Sequence, residues 1–298
     1  MKQPLTLTNF TKKYGASIGA HDISLQVKPG EVFGFLGPNG AGKTTTIRAI
    51  LNFIKPTSGS ISLFGKDSVT DSVAVKHDIG YLAGDIALYG HMNGKELLEY
   101  IASLGKKVDW KYVDQLADQL KAQLDRPIKD LSKGNKQKIG LMQAFMHKPA
   151  LILLDEPTSG LDPLMQQVFY DIVEEAQREG RSIFISSHNL QEVQRLCTRA
   201  AFIREGKLIA IEEIGESHRL NYRRYMITFK KQPNQDELES IESVSDVSVH
   251  KNQARVTVTG QPNKFLRALS KYDVLDLGEE EVHLEDMFMH YYEGDSNE

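Results

Sequence analysis

Gly37, Gly42, Lys43 and Thr44 stand as G-x-x-x-x-G-K-T within GPNGAGKTT, directly after the largely apolar run 31–36. A strand that feeds a glycine-rich turn and opens a helix makes a phosphate cradle. Glycines let consecutive backbone N–H groups converge on one anion, and the helix N-terminus behind them adds roughly half a positive charge. Gly37, Pro38, Asn39, Gly40, Ala41, Gly42, Lys43, Thr44 and Thr45 are the expected cradle, with Lys43 on the terminal phosphates and the Thr44 hydroxyl a ligand for Mg²⁺. A second apolar run, LILLDEP, ends on Asp155 and Glu156. The first carboxylate suits Mg²⁺, and the second can polarise an attacking water. His188 follows the run 183–186 at a helix start, from which an imidazole can reach a γ-phosphate. The chemistry these groups share is phosphoryl transfer from a nucleotide.

Such residues need a parallel sheet behind them and helices that open at its strand ends. Strand-like segments at 5–9, 23–27, 31–36 and 61–64 alternate with turns over the first 70 residues, broken by the helix that starts at Lys43. Residues 93–148 change to helical periodicity. Asn93 and Glu96 form a capping-box start, Leu97, Ile101 and Leu104 follow at helical spacing, and Val113, Leu116, Leu120 and Leu124 repeat the pattern. Residues 151–154 and 183–186 are the expected buried strands. Between them Asp162 and Pro163 open a helix with Leu164, Val168 and Ile172 on one face, closed by Gly180. Residues 201–204 and 207–211 make a hairpin through Glu205 and Gly206. Beyond about residue 220 the order is β-α-β-β-α-β, which predicts a small ferredoxin-like α+β domain with a last helix at 284–292. The expected domains are 1–217, with a helical subdomain at about 93–148, and 218–298.

Composition narrows the classes. The chain has 298 residues, 40% of them hydrophobic, enough for one large core and one small one. Its single cysteine, Cys197, excludes an internal disulfide and Cys-x-x-Cys metal sites, and is expected to be a packed apolar residue. No apolar run approaches the roughly 18 to 20 residues of a spanning helix, and MKQPLTLTNF lacks a signal-peptide layout, so a cytoplasmic chain is expected. Net charge is −4, with acidic side chains outnumbering basic ones after residue 218, which argues against nucleic acid as an obligatory partner.

Across roughly residues 4–215 the chain resembles the ATP-binding cassette (ABC) ATPases. GPNGAGKTT corresponds to their Walker A motif, LSKGN to the signature, LILLDEP to Walker B, SGLDP to the D-loop and SSHNLQEV to the histidine switch. The resemblance implies an α/β fold, a P-loop ABC ATPase domain with a mixed sheet core and a helical subdomain, ahead of the small α+β domain. It implies ATP and Mg²⁺ as cofactors and a second ATPase subunit as partner, packed head to tail so that each ATP lies between one Walker A and the other signature. Ser132, Gly134 and Asp162 would then make trans contacts, Glu156 and His188 would be catalytic, and Tyr14 would stack on adenine. The form LSKGNKQK with a tail carrying Leu284, Glu285, Asp286 and Phe288 is similar to subunits that serve separate ABC-2-type permeases. That implies an integral-membrane permease docked near residues 88–93, a place on the inner face of the membrane, and export. A soluble ABC-fold protein acting on ribosomes or chromosomes, and a regulatory subunit without transport, are the rival expectations. Two departures stand out. Gly84 occupies the position where the family carries a glutamine or glutamate that contacts Mg²⁺ and the attacking water, leaving Asp85 as the adjacent substitute. Lys133 and Asn135 alter the common LSGGQ form of the signature.

Overall fold

The computed structural model describes residues 2–105, 107–214, 222–259 and 262–280. The chain divides into two compact units, Met1–Glu212 and Glu213–Glu298.

The first unit is built on a 10-stranded sheet in the order β5-β4-β1-β2-β10-β9-β3-β8-β7-β6. Its antiparallel part comprises β1 (Leu5–Tyr14), β2 (Ser17–Val27), β4 (Ser58–Leu63) and the short β5 (Lys66–Asp67). Its parallel part comprises β3 (Val32–Leu36), β6 (Ile79–Leu82), β7 (Leu151–Asp155), β8 (Ser182–Ser187) and β9 (Arg199–Arg204). β10 (Lys207–Glu213) joins the parts through a parallel pairing of Lys207 with His21. The central strands β3, β7 and β8 are buried along their whole length, as expected of strands with both faces covered. Phe33 and Phe184 stack across β3 and β8 with centroids 5.9 Å apart. β1 and β2 run further than their apolar segments alone predict, meeting in a tight turn at Gly15 (φ 59°), so Tyr14 lies at a hairpin tip.

The helices are α1 (Lys43–Ile50), α2 (Ser72–Lys76), α3 (Gly94–Leu104), α4 (Trp110–Leu120), α5 (Lys133–Phe145), α6 (Pro163–Arg178) and α7 (Leu190–Leu196). The capping box of α3 is complete: Glu96 N–H donates to Asn93 Oδ1 and Asn93 N–H to Glu96 Oε2, both at 2.9 Å. α5 lies close on β6 because Gly80 has no side chain; a Cβ there would strike the Ala144 carbonyl. Two apolar stripes differ from expectation. Leu104 is exposed at the C-terminal end of α3, and on α6 the buried set is Met165, Phe169, Ile172, Val173 and Ala176, with Leu164 77% exposed. That set recurs at helical spacing as one stripe, which leaves Leu164 in the first turn on the solvent side. Among the described residues no helix is long and apolar enough to cross a membrane.

The second unit contains β11 (Tyr222–Phe229), α8 (Gln235–Glu239), β12 (Val244–His250), β13 (Gln253–Thr259), α9 (Asn263–Leu269) and β14 (Val274–Glu280). Its sheet is ordered β12-β13-β11-β14 and the paired strands are antiparallel, the ferredoxin-like arrangement. Tyr225, Ile227, Phe229, Val256 and Val258 pack on one face with Leu238, Phe265 and Leu269 from the helices. The helix expected at 284–292 lies outside the described residues.

Candidate active site

Local geometry makes the loop between β3 and α1 a cradle. Gly42 sits at φ 104°, and a Cβ on it would collide with the Gly19 carbonyl of β2, so only glycine closes this turn. The first helical bond of α1 runs from Thr46 N–H to Gly42 O, which leaves the N–H groups of Lys43, Thr44 and Thr45 ahead of the intrahelical ladder. Neighbouring strand ends brace the loop: Gly37 N–H donates to Ser187 O, and Gly206 N–H, in the β9–β10 turn, donates to Ala41 O.

The Lys43 ammonium is buried and held by Gly37 O at 2.7 Å, Pro38 O at 3.1 Å and Glu156 Oε1 at 3.2 Å. The other oxygen of Glu156 meets His188 Nδ1 at 2.6 Å, so lysine, carboxylate and imidazole form one chain. Glu156 adopts a left-handed backbone (φ 50°), a conformation that costs a non-glycine residue on the order of 1 kcal/mol or more. It turns the side chain back over the cradle while its N–H stays bonded to Ser186 O. Beside it the Thr44 hydroxyl donates to Asp155 Oδ2 at 2.8 Å, and the Ser186 hydroxyl donates to Asp155 Oδ1. A cavity of about 460 Å³ opens onto Asn39, Thr44, Asp85, Asp155, Glu156 and His188. A smaller one of about 210 Å³ runs along Gly19, Asn39, Gly40, Gly42 and Thr45.

The remaining candidates fall in three places. The Tyr14 ring lies against Gly19 next to Thr45, half exposed at the hairpin tip, with the Lys12 ammonium 5.2 Å from its centroid. Ser132 caps α5, its hydroxyl accepting Asn135 N–H at 3.3 Å, and is exposed with Lys133 at that helix start. Gly134 approaches the Gly160 carbonyl, and Lys133 Nζ donates to Ser159 Oγ at 3.1 Å, so the LSKGN segment abuts the SGLDP turn. Asp162 caps α6 through Met165 N–H at 3.0 Å. Neither cavity is lined by Ser132, Gly134 or Asp162. Gly84 lies beside Asp155: a Cβ on it would stand 3.2 Å from that carboxylate, and Asp85 follows on the cavity wall.

Several site groups escaped the reading of the sequence. Gln137 is buried in α5 and donates to Pro157 O at 2.7 Å, holding the turn after Glu156; a lone amide on the buried side of a helix was its signal. Tyr81 and Arg48 also line the larger cavity, and burial together with the Asp155 charge pushes the Tyr81 phenol up to about 12. Ser187 Oγ donates to the buried carboxyl of Glu192, which burial, helped by the Glu156 charge, pushes up to about 7. Paired serines ending an apolar strand, followed by an acid one turn on, were the visible clue.

The sequence profile described as "ABC transporter" matches residues 20–159. The chain is 36% identical to the ABC transporter ATP-binding protein NatA of Bacillus subtilis (strain 168), over 73% of this chain and 95% of that protein. It is 32% identical to the bacitracin transport ATP-binding protein BcrA of Bacillus licheniformis, over 97% of each. A solved ATP-binding subunit of an ABC transporter superposes with TM-score 0.65 at 28% identity, covering 70% of this chain and 89% of that one. A dimeric bacterial ABC transporter cassette shares the fold, with TM-score 0.66 at 20% identity, over 71% of this chain and 99% of that one.

Proposed function

The chain belongs to the ABC transporter family as an ATP-binding, ATP-hydrolysing subunit, and from that premise we propose that two copies close on ATP to drive a separate membrane permease, most simply an exporter. The observation that carries the reading is the convergence of Lys43, Glu156 and His188 in one chain beside the Thr44–Asp155 pair. Lys43 and the first-turn N–H groups of α1 hold the terminal phosphates, and Tyr14 stacks on the base. Glu156 orients the attacking water, and His188 supports Glu156 and the γ-phosphate. Catalysis is then positioning and charge stabilisation.

Mg²⁺ fits the donor set. Thr44 and Asp155 offer two hard oxygens 2.8 Å apart, and among the described residues no group of three acidic, histidine or cysteine side chains forms a cage. Such a pair suits an ion that takes its remaining ligands from nucleotide phosphates and water. When bound, it neutralises charge on the phosphate oxygens. Asp85, on the cavity wall next to Gly84, is the side chain we assign to the absent glutamine position.

Ser132, Gly134 and Asp162 lie away from the cradle of their own chain, and the exposed N-terminus of the 13-residue helix α5 suits the γ-phosphate held by a partner copy. Tyr89 is 53% exposed and makes edge contacts with Tyr100 and His91 at the start of the helical subdomain. That aromatic surface, within residues 88–93, is the proposed seat of a cytoplasmic permease helix, and it would hold the subunit on the inner face of the membrane.

The test uses Glu156→Gln, purified from native membranes in mild detergent with ATP and Mg²⁺. A stoichiometric polytopic membrane protein is expected to copurify. A homodimer with no membrane partner, or one carrying ribosomes or DNA-processing proteins, would overturn the transport reading and leave the ATPase assignment standing.

A further inference from the structure

Glu192 is a buried acid to which the scheme above gives no task. It lies at the third position of α7, 1% exposed. In an ordinary capping box a carboxylate at that position takes the N–H of the capping residue directly. Here the two are joined through a hydroxyl. Asn189 N–H donates to Ser187 Oγ at 2.9 Å, and Ser187 Oγ donates to Glu192 Oε2. Asn189 Oδ1 accepts the N–H groups of Gln191 and Glu192 at 3.0 and 3.3 Å, which closes the ring. The residue enclosed by that ring is His188, whose imidazole touches Glu156. The second oxygen of the same carboxyl, Glu192 Oε1, is buried without a hydrogen-bond partner. One buried carboxyl therefore holds the loop that presents His188 to Glu156.

We propose that Glu192 is a positioning residue for hydrolysis, fixing the loop of His188 through Ser187 so that the imidazole meets the Glu156 carboxylate in register. A helix cap alone does not account for it. Asn189 already satisfies the first turn of α7, and a cap at the surface would not require burying an acid, which costs desolvation. The inference rests on the ATPase reading and adds to it a route from the helix behind the site to the reacting pair.

The experiment measures steady-state ATP hydrolysis and, separately, affinity for a fluorescent ATP analogue, on the full chain, with thermal melts to establish folding. Glu192→Ala is expected to lower kcat by about 10- to 100-fold, in the range usual for removing an orienting partner, with nucleotide affinity essentially unchanged. Glu192→Gln keeps an oxygen for the Ser187 hydroxyl and should restore most of the rate. In a His188→Ala background Glu192→Ala should cost little more, because its effect runs through the histidine. Should Glu192→Ala not fold, Ser187→Ala opens the same ring and should reproduce the loss in kcat without loss of affinity. Normal turnover in the folded variants, or a full additional loss in the His188→Ala background, would overturn the proposal. A wild-type chain that does not hydrolyse ATP would overturn the ATPase reading instead.

Discussion

Lys43 directs its three N–H donors to Gly37 O, Pro38 O and Glu156 Oε1, the last and longest at 3.2 Å, so an incoming phosphate competes with Glu156 for the ammonium. Two outcomes follow for single side chains. Lys43→Ala should weaken ATP binding by about 10- to 100-fold, the worth of a charge-assisted bond, as read by nucleotide titration. Glu156→Gln should lower turnover by about 10² to 10³ while ATP binds as tightly or more so, because the lysine loses a competitor. Glu192 adds a dependence on pH. Its folded value of about 7 lies above the ordinary 4.5, so between these values the native chain keeps a proton that the unfolded chain has lost. Stability therefore falls as pH rises through that window and levels off above it. In melts across pH, Glu192→Gln should lose this slope, while Glu156, Tyr170 and Cys197, the other groups coupled to that carboxyl, remain in place. Lys43, Thr44, Asp155 and Glu156 were legible because each belongs to a contiguous motif whose chemistry requires its neighbours. Glu192 was not, because its meaning comes from its burial and its bond to Ser187, which only folding brings to it.

At the scale of elements, burial and capping carried different amounts of information. The buried strands β7 and β8 were visible as unbroken apolar runs, and the start of α3 as Asn93 followed by Glu96. The phase of α6 was not. The stripe of Leu164, Val168 and Ile172 competes with that of Met165, Phe169, Ile172, Val173 and Ala176, and the second is the one that packing buries. Likewise the far halves of β1 and β2 are polar and become strands because each pairs with the other, a cooperative gain that periodicity does not record. The cap on α3 can be weighed directly. Asn93→Ala removes one bond of the box and exposes the other, which should cost about 1 kcal/mol and lower the melting temperature without changing nucleotide affinity.

For the whole molecule, one chain holds one cradle and one LSKGN segment, and on the proposed reading the exposed end of α5 serves a second copy. Hydrolysis per chain should accordingly rise with protein concentration and saturate once pairs form, whereas ATP binding should not; activity proportional to concentration from the lowest dilution would argue for a working monomer. The alignment with BcrA spans 97% of the chain, so the likeness extends into the second unit as well. The hairpin of β1 and β2 carries a last consequence. It places Tyr14, a half-exposed ring lying against Gly19 beside Thr45, at the hairpin tip, and both of those neighbours line the smaller cavity. A ring of this kind greets a base by its face, and every base has one. On the proposed stacking of Tyr14, recognition rests on the phosphate tail, and GTP should compete with ATP at comparable concentrations. The subunit would be fuelled by the pool of nucleoside triphosphates as a whole, and its output would follow the energy state of the cell more closely than the abundance of adenine.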